Sequence, residues 1–319
     1  MAIDSVYTII ADQNGDISAA DKRLLQQAYN DVYLAAFPNP EEQLSFKKLC
    51  ADVKDGATVT LICAPGVLKP VIKALAVGYH YHGDATSPDV GLLGYLATDP
   101  RYQGQGLGKR MDALFRQTAL EQAEKRRQPL GGVFLECNPV GTQNDVMDPA
   151  TRIAMYKKWG AVELPIFYKQ PPLELGGNGV ELRLLVEPNP KTNQYPALND
   201  IKTYLTGAYT ESRNSLETAL LQGMEKTQAK AAKLREQAME SPEKAAALNK
   251  RATSMDKRAA KMKALAMQLP TVEQNADYKR SMQDLALLDD KKLAAFYASE
   301  LAKLPSSVPK PPEQKKFRL

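Results

Sequence analysis

The stretch VGLLGYLATDPRYQGQGLGKRM, residues 90–111, restricts the possible folds of this chain more than any other. Its apolar run over 90–98 is typical of a β-strand, and Asp99-Pro100 ends the strand because proline has no N–H for the ladder. Glycines then occupy alternate positions from 104 to 108, directly before a segment rich in helix-forming residues. Glycines at the start of a helix let a ligand approach the main chain and leave the first helical N–H groups free to bind an anion. The stretch therefore predicts a strand, a turn, an anion-binding loop and a helix.

Three kinds of glycine loop compete for this stretch. An NTPase phosphate loop ends in Gly-Lys-Ser or Gly-Lys-Thr, whereas Lys109 is followed by Arg110. A dinucleotide fingerprint reads G-x-G-x-x-G, but the chain has G-x-G-x-G and no acidic residue about 20 positions on that ends a second strand. The pattern Gln-x-x-Gly-x-Gly over 103–108, after a strand that ends near Asp-Pro, resembles the coenzyme-A pyrophosphate loop of the GNAT family of acyl-CoA N-acyltransferases.

Patterns elsewhere in residues 1–190 agree with that resemblance. Alternating and continuous apolar runs, helical periodicities and turn residues predict the order β-α-α-β-β-β-loop-α-β-α-β-β, an α+β fold with a mixed sheet. This is the GNAT order. A short helix that ends in Tyr156-x-x-x-Gly160 before a strand resembles the second recurrent segment of the family. We therefore expect a GNAT-like domain over residues 1–190.

Composition limits the setting of the chain. Its 319 residues are enough for one or two domains, and 44% hydrophobic residues can build a core. The net charge of +5 is too small to indicate a nucleic-acid partner. Three widely spaced cysteines in apolar stretches favour free thiols in a reducing compartment, so we expect a cytoplasmic protein. No apolar run reaches the roughly 20 residues of a membrane span, and the N-terminus lacks the basic region of a secretory signal.

The C-terminal part has a different character. A connector and one more helix are predicted over 191–210, and residues 211–304 consist almost entirely of helix formers, with breaks at Ser241-Pro242 and Leu269-Pro270. We expect a three-helix bundle or a coiled coil there, followed by a disordered, basic, proline-rich tail over 305–319. Between Arg213 and Lys263, twelve Lys or Arg stand against six Asp or Glu, but few aromatic residues lie among them, so base stacking is not supported. A solvated helical surface is the simplest interpretation. Binding of nucleic acid, of an acidic protein or of an anionic membrane surface, and self-association or a protein partner through 211–304, are the alternatives.

The resemblance implies a cofactor and the residues that hold it. The cofactor is acetyl-CoA, whose pantetheine arm would pair with the strand before the loop. The pyrophosphate would be bound by main-chain N–H groups of the loop, aided by the dipole of the following helix and by a lysine. The residues at these places in this chain are Leu96, Ala97, Thr98, Gln103, Gly104, Gln105, Gly106, Leu107, Gly108 and Lys109.

Two residues are candidates for proton transfer. By resemblance, Tyr156 protonates the leaving thiolate, with core packing beside Trp159 as the alternative. Glu136, one residue from the end of the fifth strand, is the candidate base; otherwise it is a rim carboxylate paired with a lysine or arginine. His80 and His82 alternate on one strand and so point to one face, where sheet packing is favoured over catalysis. Because the pair lacks a third ligand, no metal site is predicted.

The resemblance therefore implies an N-acetyltransferase in which an amine attacks acetyl-CoA directly in a ternary complex. The acceptor is an amine, and protein lysine, protein N-terminus and small molecule remain open. The competing hypothesis is a catalytically silent GNAT-fold protein whose helical C-terminal half mediates assembly.

Overall fold

A mixed seven-stranded sheet forms the centre of the molecule in the computed structural model, which describes residues 4–40, 42–67, 69–143, 146–173 and 177–304. The strand order is β1-β2-β3-β4-β5-β9-β6. Only β4 and β5 pair in parallel among the described strands, and every other neighbouring pair is antiparallel. The strands of this sheet are β1 (Ser5–Ile9), β2 (Thr58–Ala64), β3 (Val71–Tyr81), β4 (Asp89–Thr98), β5 (Leu130–Cys137), β6 (Val162–Glu163) and β9 (Arg183–Glu187). A separate two-stranded sheet joins β7 (Lys169–Gln170) to β8 (Val180–Glu181).

Nine α-helices surround these strands in the described ranges. They are α1 (Ala19–Ala28), α2 (Leu34–Ala36), α3 (Phe46–Lys54), α4 (Leu107–Lys125), α5 (Pro149–Trp159), α6 (Leu198–Glu240), α7 (Ala245–Met267), α8 (Ala276–Ala286) and α9 (Asp290–Lys303). Side-chain caps fix several of their starts. The side chains of Ser18, Ser45 and Asp148 each accept a hydrogen bond from a main-chain N–H in the first turn, which satisfies a group that the helix itself leaves unpaired.

The helices divide the sheet into two faces. On one face, α4 and α5 cover the centre and bury a core that includes Phe115, Leu135 and Tyr156. On the other face, α1 to α3 cover the first strands, and α6, α8 and α9 cover β4, β5, β6 and β9. The two groups of helices on this second face meet above the place where β4 and β5 separate.

The predicted fold class is confirmed: the chain forms a mixed sheet with helices, followed by a helical C-terminal region. Some predicted bounds are wrong. The helical periodicity of residues 41–53 predicts a helix from Glu41, which lies outside the described residues, but the helix begins at Phe46, where the Ser45 side chain caps it. The apolar run over 162–168 predicts a strand, but only Val162–Glu163 form a strand of the sheet.

The predicted boundary near residue 210 falls inside a continuous helix, since α6 runs for 43 residues from Leu198 to Glu240. The predicted breaks at Ser241-Pro242 and Leu269-Pro270 are confirmed, and a further break after Ala286 separates α8 from α9. These last two helices bury Tyr278, Leu285 and Tyr297 in the core over the sheet, so they are not a detached bundle. The predicted tail over 305–319 lies outside the described residues.

The second half of α6 and the whole of α7 form an antiparallel helical arm. Its seam consists of alanines that are 6% exposed or less: Ala231, Ala238, Ala252, Ala259 and Ala266. Because these residues are small and recur every seven positions, the axes of the two helices lie close together. Both helices belong to the same chain, so the seam forms within one molecule. No helix in the described part of the chain is both long enough and apolar enough to cross a membrane.

Candidate functional site

The turn between β4 and α4 has the conformation that its glycines allow. Gly104 and Gly106 adopt φ values of +74° and +76°, in the left-handed region that residues with a Cβ avoid. Gly106 is the N-cap of α4, and no side chain caps the helix there. A Cβ built on either glycine would meet no atom within 4 Å, so the space in front of the turn is open.

Main-chain N–H groups line that open space. Between residues 103 and 109, none of them donates to an acceptor in the described ranges, and the first helical bond runs from Arg110 N–H to the Gly106 carbonyl at 3.1 Å. Residues 103–106 and Lys109 are exposed. These N–H groups lie at the positive end of a 19-residue helix, an arrangement that favours an anion.

The strands on either side of this turn separate. β4 and β5 are paired only as far as Leu93 and Leu135, whereas β4 continues to pair with β3 as far as Thr98. A bulge at Gly94 in β4 falls where the separation begins. Beyond it, the edge of residues 94–98 that faces away from β3 has no strand partner among the described residues. Leu96, Ala97 and Thr98 therefore border a slot that an extended chain can enter by adding as a strand.

Tyr156 lies on the α4 face of the sheet, beside this slot. It is 6% exposed, packs in the core that contains Leu107 and Cys137, and meets the Trp159 ring edge-on at 5.3 Å between centroids. Burial raises the pKa of Tyr156 well above its ordinary value, so the hydroxyl keeps its proton at neutral pH. The hydroxyl forms no hydrogen bond within the described part of the chain.

Glu136 lies on the opposite face of the sheet, beneath α6. Its carboxylate accepts hydrogen bonds from Tyr204 Oη at 2.7 Å, from Gln170 Nε2 at 2.7 Å and from Tyr168 Oη. Burial raises the pKa of Glu136, and these three hydrogen bonds act to lower it. The predicted alternative of a lysine or arginine partner is wrong for the described residues, because all three donors are neutral.

Sequence reasoning did not find the groups that hold Glu136. Tyr168 was assigned to a strand and Tyr204 to a connecting helix, and nothing in their local patterns indicates that both hydroxyls point to one carboxylate. The two hydroxyls also lie 3.0 Å apart, and the Tyr204 ring stacks on Phe134 with 4.2 Å between centroids. A carboxylate at the end of a buried strand was the only sequence signal for this network.

The two histidines lie away from this network. Nε2 of His80 is 3.3 Å from Thr58 Oγ1, and the His80 ring contacts Phe115 of α4. Burial of the imidazole in this place lowers the pKa of His80 to about 4. His82 Nδ1 lies 3.6 Å from a carboxylate oxygen of Asp89, near the start of β4. This placement favours the predicted packing role.

A second group of buried charges lies under α4. Glu187 is fully buried, and neither of its carboxylate oxygens has a hydrogen-bond partner in the described part of the chain. Arg116 Nε lies 3.7 Å from Glu187 Oε2, and Asp112 is 2% exposed in the same group. Burial, and then repulsion by Asp112, raises the pKa of Glu187 well above its ordinary value.

The solved structures that this chain resembles include acetyltransferases. A protein from Bacteroides thetaiotaomicron, described as an acetyltransferase from the GNAT family, matches 53% of this chain and 83% of its own, with 17% identity and a TM-score of 0.36. The ribosomal-protein-S18-alanine N-acetyltransferase of Escherichia coli matches 58% of this chain and 92% of its own, with 17% identity and a TM-score of 0.34. Arabidopsis thaliana NAA60, solved with acetyl-CoA, matches 57% of this chain and 97% of its own, with 12% identity and a TM-score of 0.36.

Comparisons of sequence gave no match. No protein-family profile matches the chain, and no curated protein matches its sequence. The chemistry of the site therefore rests on the chain's own residues.

Proposed function

We propose that this chain is an N-acetyltransferase that uses acetyl-CoA and transfers the acetyl group directly to an amine. One observation carries the proposal: a turn with free N–H groups and a slot between separating strands follow one another along residues 94–109. A diphosphate fits the first and an extended pantetheine amide chain fits the second, which is the combination that coenzyme A presents.

The residues present fit this cofactor. Main-chain N–H groups from Gln103 to Gly108 would hold the pyrophosphate, and Lys109 would add a positive charge. Leu96, Ala97 and Thr98 would pair with the pantetheine arm, and a main-chain N–H near Leu96 would polarise the thioester carbonyl. Bound there, the cofactor supplies the activated acetyl group.

Glu136 and Tyr156 would carry the two proton transfers from opposite faces of the sheet. Glu136, as the base, would take a proton from the incoming ammonium on the α6 face. As the new C–N bond forms and the C–S bond breaks, Tyr156 would give its proton to the thiolate on the α4 face. The second proton that the nitrogen loses would pass through solvent and restore the Tyr156 hydroxyl. Placing the two groups on opposite sides of the slot keeps the base beside the amine and the acid beside the sulfur.

Release of free thiol tests the proposal. Purified full-length chain is mixed with acetyl-CoA and a panel of amines, and thiol is measured with a disulfide reagent. Amine-dependent release above the rate without enzyme is the expected result. No release with any amine, together with no binding of acetyl-CoA, would refute it.

A further inference from the structure

A cleft of about 550 Å³, including its mouth, lies on the α6 face where β4 and β5 separate. It opens next to Glu136 and Gly94, so an amine bound there would meet a thioester held in the slot. The inference drawn from this cleft rests on the proposed function and concerns which amine the cleft accepts.

Helix α6 forms one wall of the cleft. Ala208, Glu211, Ser212 and Ser215 line it. Two hydrogen bonds attach this wall to the opposite side: Tyr209 Oη donates to the Lys169 carbonyl at 2.8 Å, and Ser212 Oγ donates to the Pro172 carbonyl at 2.9 Å. Helix α6, the first helix of the C-terminal region, therefore forms part of this cleft.

The charges in the cleft do not balance. Its charged lining residues are Lys48, Asp52, Glu136 and Glu211. Lys48 forms an ion pair with Asp52, whose other oxygen accepts from Tyr79 Oη at 3.1 Å. Glu136 has neutral donors only. Glu211 interacts with the Tyr81 hydroxyl and, electrostatically, with Lys48. Among the described lining residues, one lysine thus stands against three carboxylates, in a chain whose net charge is +5.

Glu136 and Glu211 occupy different places in the cleft. Glu136 is on β5, at the point where the sheet divides, and Glu211 is on α6, on the side of Asp52 and Tyr81. Burial, and then repulsion by Asp52, raises the pKa of Glu211 more than Lys48 and the Tyr81 hydroxyl lower it, so a further cation bound beside Glu211 would stabilise its charged form.

Aromatic rings form much of the remaining surface of the cleft. Tyr79, Tyr81, Tyr95 and Tyr168 line the cleft, and the apolar Leu44 and Leu92 lie with them. Such a surface packs against an alkyl chain, and the ring faces attract alkylammonium groups.

We infer that the acceptor is a small aliphatic diamine with both amino groups positively charged. Glu136 faces the amino group that reacts, and Glu211 binds the second ammonium at the α6 wall. The aromatic rings of the cleft hold the alkyl chain. A lysine side chain offers the same stem with one positive charge, which leaves Glu211 without a bound ammonium.

A comparison of cadaverine with pentylamine tests this inference, because the two share a five-carbon chain and differ by one ammonium. The expected kcat/KM for cadaverine is at least about tenfold higher, the ratio expected for one additional bound charge. Glu211→Gln should reduce that ratio to about one, chiefly by lowering the value for cadaverine. A circular dichroism spectrum and a thermal transition like those of the parent show that the variant is folded. The matched control is Glu217→Gln, also on α6, whose carboxylate pairs with Arg213 at 2.8 Å outside the cleft.

Equal kcat/KM for both amines, or an equal loss for both in Glu211→Gln, would overturn the inference. Failure of the proposed function looks different: no amine would release thiol. In that case, calorimetric titration of cadaverine alone still decides, because binding weakened by Glu211→Gln and not by Glu217→Gln supports the diamine site. Absence of cadaverine binding refutes it.

Discussion

At the scale of single residues, the proposed mechanism depends on two side chains that the sheet keeps apart. Glu136 and Tyr156 lie on opposite faces of the sheet, and their surroundings differ. Glu136 is held by three neutral hydrogen-bond donors, whereas the Tyr156 hydroxyl has none within the described residues. Because no hydrogen bond within the described residues holds the Tyr156 hydroxyl, its removal separates the proposed chemical role from a structural one.

We expect Tyr156→Phe to lower kcat by roughly 10²-fold or more, because it removes the acid that protonates the thiolate. The free energy of unfolding should change by less than about 0.5 kcal/mol, since no hydrogen bond is lost. Tyr297→Phe is the matched control, because Tyr297 is equally buried and donates to the Pro196 carbonyl at 2.9 Å. It should lose about 1 kcal/mol of stability and keep kcat. Denaturant unfolding measures the stability of each variant, and thiol release measures its kcat. An unchanged kcat in Tyr156→Phe would remove the residue from the mechanism.

Glu187 should make stability depend on pH. The folded state raises its pKa above the ordinary value of 4.5, so as pH rises past 4.5 the unfolded state loses this proton first and the free energy of unfolding falls. The side chain introduced by Glu187→Gln does not titrate, and its amide N–H can donate a hydrogen bond to the Asp112 carboxylate. We expect the variant to be more stable than the parent at pH 8 by about 1–3 kcal/mol, with the difference shrinking as pH falls toward 4.5.

Urea unfolding across this pH range measures the difference between the two chains. Glu225→Gln, an exposed carboxylate on the arm, is the control and should show no such trend. A Glu187→Gln curve parallel to that of the parent would contradict the assignment.

At the scale of elements, the arm and the cleft use different parts of one helix. The first half of α6 brings Glu211 to the cleft and the Tyr204 hydroxyl to Glu136, and the second half packs on α7. The two helices of the arm approach each other at Gly223, where a Cβ would lie 3.3 Å from Met262 Sδ. The arm can therefore be removed beyond this contact without touching the residues of the cleft.

Replacing residues 224–261 by a short Gly-Ser turn should leave the site working. We expect kcat/KM for the preferred amine to stay within about twofold and the melting temperature to fall by less than about 5 °C, because the lost contacts are mainly between alanines. Thermal unfolding and the thiol assay measure the two quantities. If the variant stays folded but changes its preference among amines, the arm itself selects the acceptor.

The sequence predicted the elements that depend on neighbouring residues. The apolar run, Asp99-Pro100 and the glycines of β4 and its turn act locally, so their pattern indicated strand, loop and helix. The position of Tyr204 depends instead on a contact 68 residues along the chain from Glu136. Helix propensity also could not show that α6 continues past residue 210, because the same residues favour one long helix and two short ones equally.

At the scale of the whole molecule, the C-terminal helices complete the core. Large side chains of α8 and α9 are buried over the sheet: Tyr278, Leu285, Leu293 and Tyr297. At about 1.5–3 kcal/mol for each large apolar side chain, they contribute free energy comparable with the roughly 5–15 kcal/mol that stabilises a whole domain. The helical region is therefore part of the same folding unit as the sheet.

Ending the chain at residue 210 should consequently prevent cooperative folding. We expect a molecule of residues 1–210 to lack the sharp thermal transition of the full chain and to lose near-ultraviolet circular dichroism. The arm deletion, which removes 38 residues by its numbering but none of this core, is the control. A cooperative transition in residues 1–210 near the temperature of the full chain would show that the helices are a separate module.

Calorimetric titration of the full chain with acetyl-CoA tests the central claim most directly, because that claim concerns free N–H groups in one turn. We expect one site per chain with a dissociation constant in the range of about 1 μM to 1 mM, as is usual for enzyme substrates. Gly106→Ala should weaken binding at least about tenfold, since a Cβ there strains the turn and projects into the open space. Gly15→Ala is the matched control, because Gly15 also has a positive φ, of +77°, but is not part of the turn. This variant should bind acetyl-CoA as the parent does. No heat at millimolar acetyl-CoA, or equal binding by Gly106→Ala and the parent, would contradict the account.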